Sequence, residues 1–112
     1  MDHPKIELKA VRQADLDNGR PDYHIMANGY LVGRIHHTNQ TNETLWFWSV
    51  ACVWTSAESG INMHGNAGTL EAAQAIFREA FDKWLEWILT IQPDHLSFRT
   101  IDEQLRKIGV RR

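Results

Sequence analysis

This sequence lacks disulfide-forming cysteines, long apolar segments and a secretion signal. Cys52 is the only cysteine among 112 residues, so no disulfide can form within the chain, as is typical of a reducing compartment. The first residues, Met1–Lys5, contain no apolar segment like that of secretion signals, and no apolar run approaches the length of a membrane span. We therefore expect a cytoplasmic protein that does not enter a membrane.

Basic residues are missing from the middle of the chain. No Lys or Arg lies between Arg34 and Arg78, which makes that stretch a poor surface for phosphate. The C-terminal end carries a modest positive cluster, formed by Arg106, Lys107, Arg111 and Arg112. A nucleic-acid hypothesis therefore has to rest on the C-terminus.

The spacings of known catalytic and metal-binding motifs are also absent. His36 and His37 are adjacent, and adjacent side chains of an extended chain point to opposite sides, so they do not readily share a metal. We interpret these two residues and His64 as solvent-exposed loop histidines. Cys52 is expected inside an apolar strand, where thiols are usually inert core residues. We expect no enzyme, no cofactor and no metal.

Several segments have the alternation of apolar and polar residues that is typical of strands. Lys5–Arg12 is one of them. Asn28-Gly29 lies between two others and predicts a two-residue type I′ hairpin, because both turn positions need φ > 0. That turn would pair Ala27 with Tyr30, Ile25 with Val32 and Tyr23 with Arg34. The next segment, residues 36–43, is interpreted as a polar loop.

Tryptophan is unusually frequent, with five in the chain. A long strand is predicted over Thr44–Trp54, and both of its faces are apolar, as in a strand that is covered on both sides. One face would carry Trp46, Trp48, Val50, Cys52 and Trp54, and the other Leu45, Phe47, Ser49, Ala51 and Val53. A short edge strand over Ile61–His64 is a further possibility.

One long amphipathic helix is predicted to begin after Thr69, a favourable N-cap residue. Apolar residues then recur at steps of three and four as far as Ile88. On the opposite side, two pairs are spaced for weak ion pairs, Arg78–Asp82 and Glu79–Lys83.

A short second helix is predicted from the capping-box spacing of Thr100 and Glu103, with Ile101, Leu105 and Ile108 on one side and Gly109 at its end. The expected fold is α+β. It has an antiparallel sheet of three to four strands in the order β-β-β-(β)-α, packed by the long helix, plus the short C-terminal helix. Residues 1–112 are expected to form a single domain.

The chain resembles a family of small uncharacterised soil-bacterial proteins over roughly residues 23–87. The residues that carry this resemblance are Val32-Gly33-Arg34-Ile35, Trp46-Phe47-Trp48-Ser49, Gly65-Asn66-Ala67 and Thr69-Leu70-Glu71-Ala72-Ala73, followed by Phe77 and Trp84. The resemblance implies a shared fold and no particular activity. A looser similarity is to HicB-like antitoxins, through Gly65, Thr69, Glu71 and Ala72. Ser59-Gly60-Ile61 replaces the Pro-Gly-Cys segment of that family.

These patterns favour a non-enzymatic binding or regulatory protein, inhibitor-like or antitoxin-like. We expect it to engage a protein partner through an aromatic-rich sheet face or an edge strand. The sequence does not decide which face of the tryptophan strand the helix leaves uncovered, the one with Trp46 and Trp54 or the one with Leu45 and Val53. The expected partner-binding residues are Trp46, Trp48, Trp54, Tyr30 and Arg34. A homodimer is an alternative cover for the second apolar face. The alternative function is a nucleic-acid-associated factor that uses the C-terminal residues Arg106, Lys107, Arg111 and Arg112.

Overall fold

The structure is a computed structural model that describes residues 6–13, 21–40, 43–91 and 95–110. Five strands and two α-helices follow one another along the chain, with one short 3₁₀ turn at Ala57–Ser59. The α+β class is therefore confirmed, and five strands replace the expected three to four. The elements are β1 Leu8–Arg12, β2 Asp22–Ala27, β3 Tyr30–Gln40, β4 Glu43–Val50, β5 His64–Ala67, α1 Leu70–Thr90 and α2 His95–Lys107.

The five strands form one antiparallel sheet in which each strand pairs with its neighbours along the chain, in the order β1-β2-β3-β4-β5. The β2–β3 hairpin turns at Asn28 and Gly29, whose φ angles are 51° and 78°. Both are positive, as a type I′ turn requires, so the predicted turn and the Ala27–Tyr30 pair are confirmed. The edges of the sheet are β1 and β5.

Beyond that turn the predicted register is wrong by one residue. Ile25 pairs with Gly33 rather than Val32, and Tyr23 with Ile35 rather than Arg34, because a β-bulge leaves Val32 without a partner across β2. The bulge has a clear physical reason. Without it, Arg34 would lie on the buried side of the sheet and Ile35 on the exposed side.

The polar segment 36–43 is not simply a loop, because residues 36–40 extend β3 and Glu43 opens β4, whereas 41 and 42 lie outside the described residues. His37 pairs with Trp46 and Thr38 with Leu45, so the hairpin continues far beyond the apolar part of the sequence. Polar side chains are compatible with these positions because this end of the sheet is only partly buried. The short edge strand exists too, but it covers His64–Ala67 rather than residues 61–64.

The tryptophan strand ends at Val50, four residues earlier than predicted. Cys52 has a φ of 63°, a left-handed conformation that interrupts an extended strand. Its side chain is exposed, so the expected core role of this thiol is wrong. The Cys52 carbonyl accepts a hydrogen bond from the Tyr30 hydroxyl at 3.1 Å.

Helix α1 follows the prediction closely. The Thr69 hydroxyl accepts a hydrogen bond from the Ala72 N–H at 3.0 Å, which caps the helix. Both expected ion pairs form, Arg78–Asp82 at 3.3 Å and Glu79–Lys83 at 3.1 Å. The apolar stripe of the helix is buried against β3, β4 and β5, and its buried members are Ala73, Phe77, Ala80, Phe81, Trp84, Leu85 and Ile88.

Helix α2 begins at His95, so the capping box predicted at Thr100 is wrong as a helix start. Its predicted apolar side is confirmed, since Ile101, Leu105 and Ile108 are each 1% exposed. The helix closes at Gly109, whose φ is 94°. The Val110 N–H donates to the Leu105 carbonyl at 2.7 Å and the Gly109 N–H to Arg106 at 3.1 Å, the two bonds of a Schellman motif.

Candidate functional site: the open face of the sheet

The two faces of the sheet have different surroundings. Gly33 lies directly beneath the Phe77 ring of α1, so the face that Gly33 shares with Ile35 and Trp48 is the one that the helix covers; we call it the helix face. The opposite face is called the open face. By strand register it is formed by Lys9, Val11, Asp22, His24, Met26, Leu31, Arg34, His36, Thr38, Leu45, Phe47, Ser49, His64 and Asn66.

Burial separates the two faces sharply. On the helix face, Ile35 is 0% exposed, Trp48 2% and Ile25 4%. On the open face, by contrast, none of the residues named above is buried. Its apolar residues are half-buried by their neighbours in the sheet, and Val11 is 39% exposed. No described helix therefore shields this face from solvent.

An ion pair lies near the middle of the open face. The Arg34 guanidinium donates two hydrogen bonds to the two carboxylate oxygens of Asp22, at 2.9 and 2.7 Å. These bonds hold the pKa of the Asp22 carboxyl below its ordinary value of 3.8, against a weaker opposite effect of burial. The two-point geometry fixes both side chains, and it neutralises the charge of Arg34 at pH 7.

Next to this pair, an aromatic ring lies between two imidazoles. The Phe47 centroid is 5.3 Å from that of His36 and 6.1 Å from that of His64. Partial burial, followed by the nearby positive charge of Arg34, lowers the pKa of His36. His36 is therefore held in its neutral form at pH 7, and its imidazole and the Phe47 ring form an uncharged part of the open face.

Two of the three expected partner-binding tryptophans, Trp46 and Trp48, lie on the helix face. Trp48 has almost no surface left for a partner, and its indole packs under Gly65. Trp46 is half-buried at the far end of the same face, where its ring lies 4.9 Å from that of His37. Arg34 is the member of the expected set that lies on the open face.

Tyr30 and Trp54 join the sheet to the helices. The Trp54 N–H donates to the Gln104 side chain of α2 at 2.6 Å, and its carbonyl accepts from the Trp84 indole of α1 at 2.9 Å. Its ring stacks on Trp87, with centroids 5.9 Å apart and planes 6° from parallel. The five expected residues therefore do not form one surface.

The C-terminal basic residues fall only partly within the described chain. Arg106 and Lys107 are exposed in the last turn of α2, whereas Arg111 and Arg112 lie outside the described residues. The Lys107 ammonium is 5.6 Å from the Tyr30 ring centroid, and its carbonyl accepts a hydrogen bond from Asn28 at 3.2 Å. This end of α2 is therefore attached to the hairpin turn.

Sequence reasoning did not single out His36 and His64 at the centre of the open face, whereas Phe47 lies on the second of the two apolar faces that it predicted for the tryptophan strand. His36, His37 and His64 were all expected in loops, and all three lie in strands, with His36 and His37 on opposite faces as adjacent strand residues must be. A signal was available in Gly33, because a glycine inside a strand often marks a bulge. A bulge there moves Ile35 to the helix face and Arg34 and His36 to the open face.

Within residues 6–13, 21–40, 43–91 and 95–110, no group of three or more His, Cys, Asp or Glu side chains is arranged to hold a metal ion. Neither helix of this part of the chain is long and apolar enough to cross a membrane.

Comparisons of the chain with protein-family models, with curated proteins and with solved structures found no match. The resemblances to small soil-bacterial proteins and to HicB-like antitoxins therefore stay predictions, as do the cytoplasmic location and the single domain.

Proposed function

We propose that this protein is a non-enzymatic binding protein that engages a protein partner through the open face of its sheet. The proposal rests on two properties of this face. It has no described cover, and it combines apolar and polar groups, since Phe47 lies between His36 and His64 beside the Arg34–Asp22 pair. Aromatic residues, methionine and arginine are enriched in protein interfaces, and this face has one of each in Phe47, Met26 and Arg34.

Electrostatics favour a protein over a nucleic acid as the partner on this face. Arg34 is neutralised by Asp22, and the imidazole of His36 is kept uncharged. Lys9 is then the one other Lys or Arg among the open-face residues named above. Surfaces that hold nucleic acid need several basic groups interleaved with aromatic rings.

The proposal is tested by affinity capture from cells of the source organism with tagged wild-type protein and two matched variants. Phe47→Ser removes the ring at the centre of the open face. Ile76→Ser removes an apolar side chain, 37% exposed, from the outer side of α1. A partner retained by the wild type and by I76S, and lost by F47S, supports the proposal. Equal retention by F47S, or loss with I76S alone, contradicts it.

A second candidate function is nucleic-acid association through the C-terminal segment, favoured by the exposure of Arg106 and Lys107. A double variant, Arg106→Gln with Lys107→Gln, is compared with the wild type for retention on single-stranded RNA and on duplex DNA at low salt. Retention that falls with salt and is lost in the variant supports this function. Absence of retention by the wild type removes it.

A further inference from the structure

The β2–β3 turn places an asparagine directly before a glycine, the order in which an asparagine carboxamide reacts most readily with the next backbone nitrogen. Glycine has no β-carbon to shield that nitrogen. Asn28 and Gly29 are both exposed, and a β-carbon added to Gly29 would meet no atom within 4 Å. The Ala27–Tyr30 pair supplies the hydrogen bonds that close a two-residue turn, so none of these bonds uses the Gly29 N–H. Water therefore has access to both reacting groups.

We propose that Asn28 is a site of spontaneous deamidation, which the closed turn delays and whose products release α2 from the hairpin. In the first step a bond forms between the Gly29 nitrogen and the Asn28 Cγ. The proton of that nitrogen passes through water to the side-chain nitrogen, which leaves as ammonia. In the second step water opens the resulting cyclic imide. Opening at Cγ gives aspartate, and opening at the Asn28 main-chain carbonyl gives isoaspartate, in which the chain continues through the side chain.

The closed turn keeps the two reacting groups apart. Asn28 has a φ of 51°, and in a type I′ turn its ψ is about +30°. At that ψ the Gly29 nitrogen lies on the opposite side of the Cα–C bond from the Asn28 β-carbon, so it does not reach Cγ. The carboxamide is also held in place, because it donates a hydrogen bond to the Lys107 carbonyl at 3.2 Å and packs beside Gly109. Ring closure therefore requires local opening of the turn and release of this bond.

The products remove the hydrogen bond that joins the hairpin turn to α2. Aspartate has no N–H to donate, and its carboxylate oxygens repel the Lys107 carbonyl that the carboxamide contacts. The new charge also lies at the C-terminal end of α2, where the helix dipole disfavours an anion. Isoaspartate lengthens the backbone of a turn that has room for two residues. Each product therefore frees the last turn of α2 from the sheet.

The rates are measured on the full chain, aged at mildly alkaline pH and analysed by peptide mapping with tandem mass spectrometry. Asn66 is the internal control, because it is also exposed but is followed by Ala67, whose β-carbon shields the backbone nitrogen. We expect Asn28 to convert before Asn66 in the folded protein, and to convert at least about tenfold faster in guanidinium chloride, where the turn is open. Conversion of Asn28 no faster than that of Asn66, or equal rates for Asn28 in the folded and unfolded chain, overturns the proposal.

The release of α2 is measured by amide hydrogen exchange at Gly109 and Val110, whose N–H groups close the helix. These amides should exchange about fivefold faster in Asn28→Asp than in the wild type, the effect of one lost hydrogen bond, whereas Asn66→Asp should leave them unchanged. If N28D does not fold, the deamidated fraction of aged protein replaces it, since its added negative charge separates it by ion exchange. Equal exchange in the deamidated form and the wild type overturns the proposal. These measurements need no partner, so their failure is distinguishable from failure of the open-face function.

Discussion

Phe47 and Trp48 are neighbours in β4, yet they lie on faces of the sheet with different surroundings. Trp48 lies on the helix face, where it is 2% exposed beneath a cover of apolar side chains. Phe47 lies on the open face between two histidines, half-buried and without a cover among the described residues. The face with more aromatic rings is the one that packs against the helix, because a small core gains much of its stability from a few large rings. We propose the other face, with fewer rings, for recognition.

The largest expected change in stability comes from replacing one of these two neighbours, and replacing the other is the comparison. Trp48→Ala should lower the free energy of unfolding by about 3–5 kcal/mol, because it removes a buried ring and leaves a cavity. Phe47→Ala should cost less, about 1–2 kcal/mol, since its ring is only partly buried and no described helix packs on it. Urea unfolding of the two variants measures both values. Similar losses in the two variants would contradict the division into faces.

A smaller effect tests the close approach of α1 to the sheet. A β-carbon at position 33 would clash with the Ser49 carbonyl and the Phe77 ring, so Gly33→Ala should destabilise the protein by about 1–3 kcal/mol. Gly68→Ala is the control, because nothing lies within 4 Å of the added atom and its φ is not positive. Thermal unfolding of both should show a clear loss for G33A alone. If G33A is neutral, the helix does not lie where the structure has it.

The next prediction concerns the loop that carries Trp54 to the helices. Gln104→Ala leaves the Trp54 N–H without its acceptor and should cost about 1 kcal/mol, the effect of one lost hydrogen bond at a partly buried site. Glu103→Ala, one residue earlier and exposed, should change the unfolding free energy much less. Equal effects of the two variants would show that the bond does not hold α2 in place.

The smallest effect belongs to the open face. Asp22→Asn should cost at most about 1 kcal/mol at pH 7, because Arg34 is 52% exposed and solvent screens the pair. The folded-state pKa of Asp22 is lowered, so its contribution is present above the ordinary value of 3.8 and is lost as the pH falls through the lower folded value. The difference between wild type and D22N should therefore vanish in acid. A difference that persists there would assign the effect to packing.

Local signals in the sequence were sufficient for much of this fold. The Asn28-Gly29 turn, the Thr69 cap and the apolar stripe of α1 each depend on neighbours within a few residues, and each formed as predicted. These signals predicted the positions of the long helix and of one hairpin. They did not decide which face of the sheet the helix covers.

The errors arose where distant contacts decide. The bulge at Val32 depends on the helix that packs above Gly33, and the break of β4 at Cys52 comes with bonds from Tyr30 and Gln104 to its carbonyl. A one-residue shift of register exchanges the faces of a strand, so one missed bulge was enough to place Arg34 and Ile35 on the wrong sides. The tryptophans then suggested a binding site where the core lies.

Oxidative labelling of the free protein and of its captured complex tests the open-face account most directly. In the free protein, Phe47 and Met26 should react, whereas Trp48 and Trp84, at 2% and 1% exposure, should not. Binding of the partner should protect Phe47 and Met26 and leave Ile76 on α1 unchanged. Protection centred on Ile76, with Phe47 and Met26 still reactive in the complex, would contradict the account.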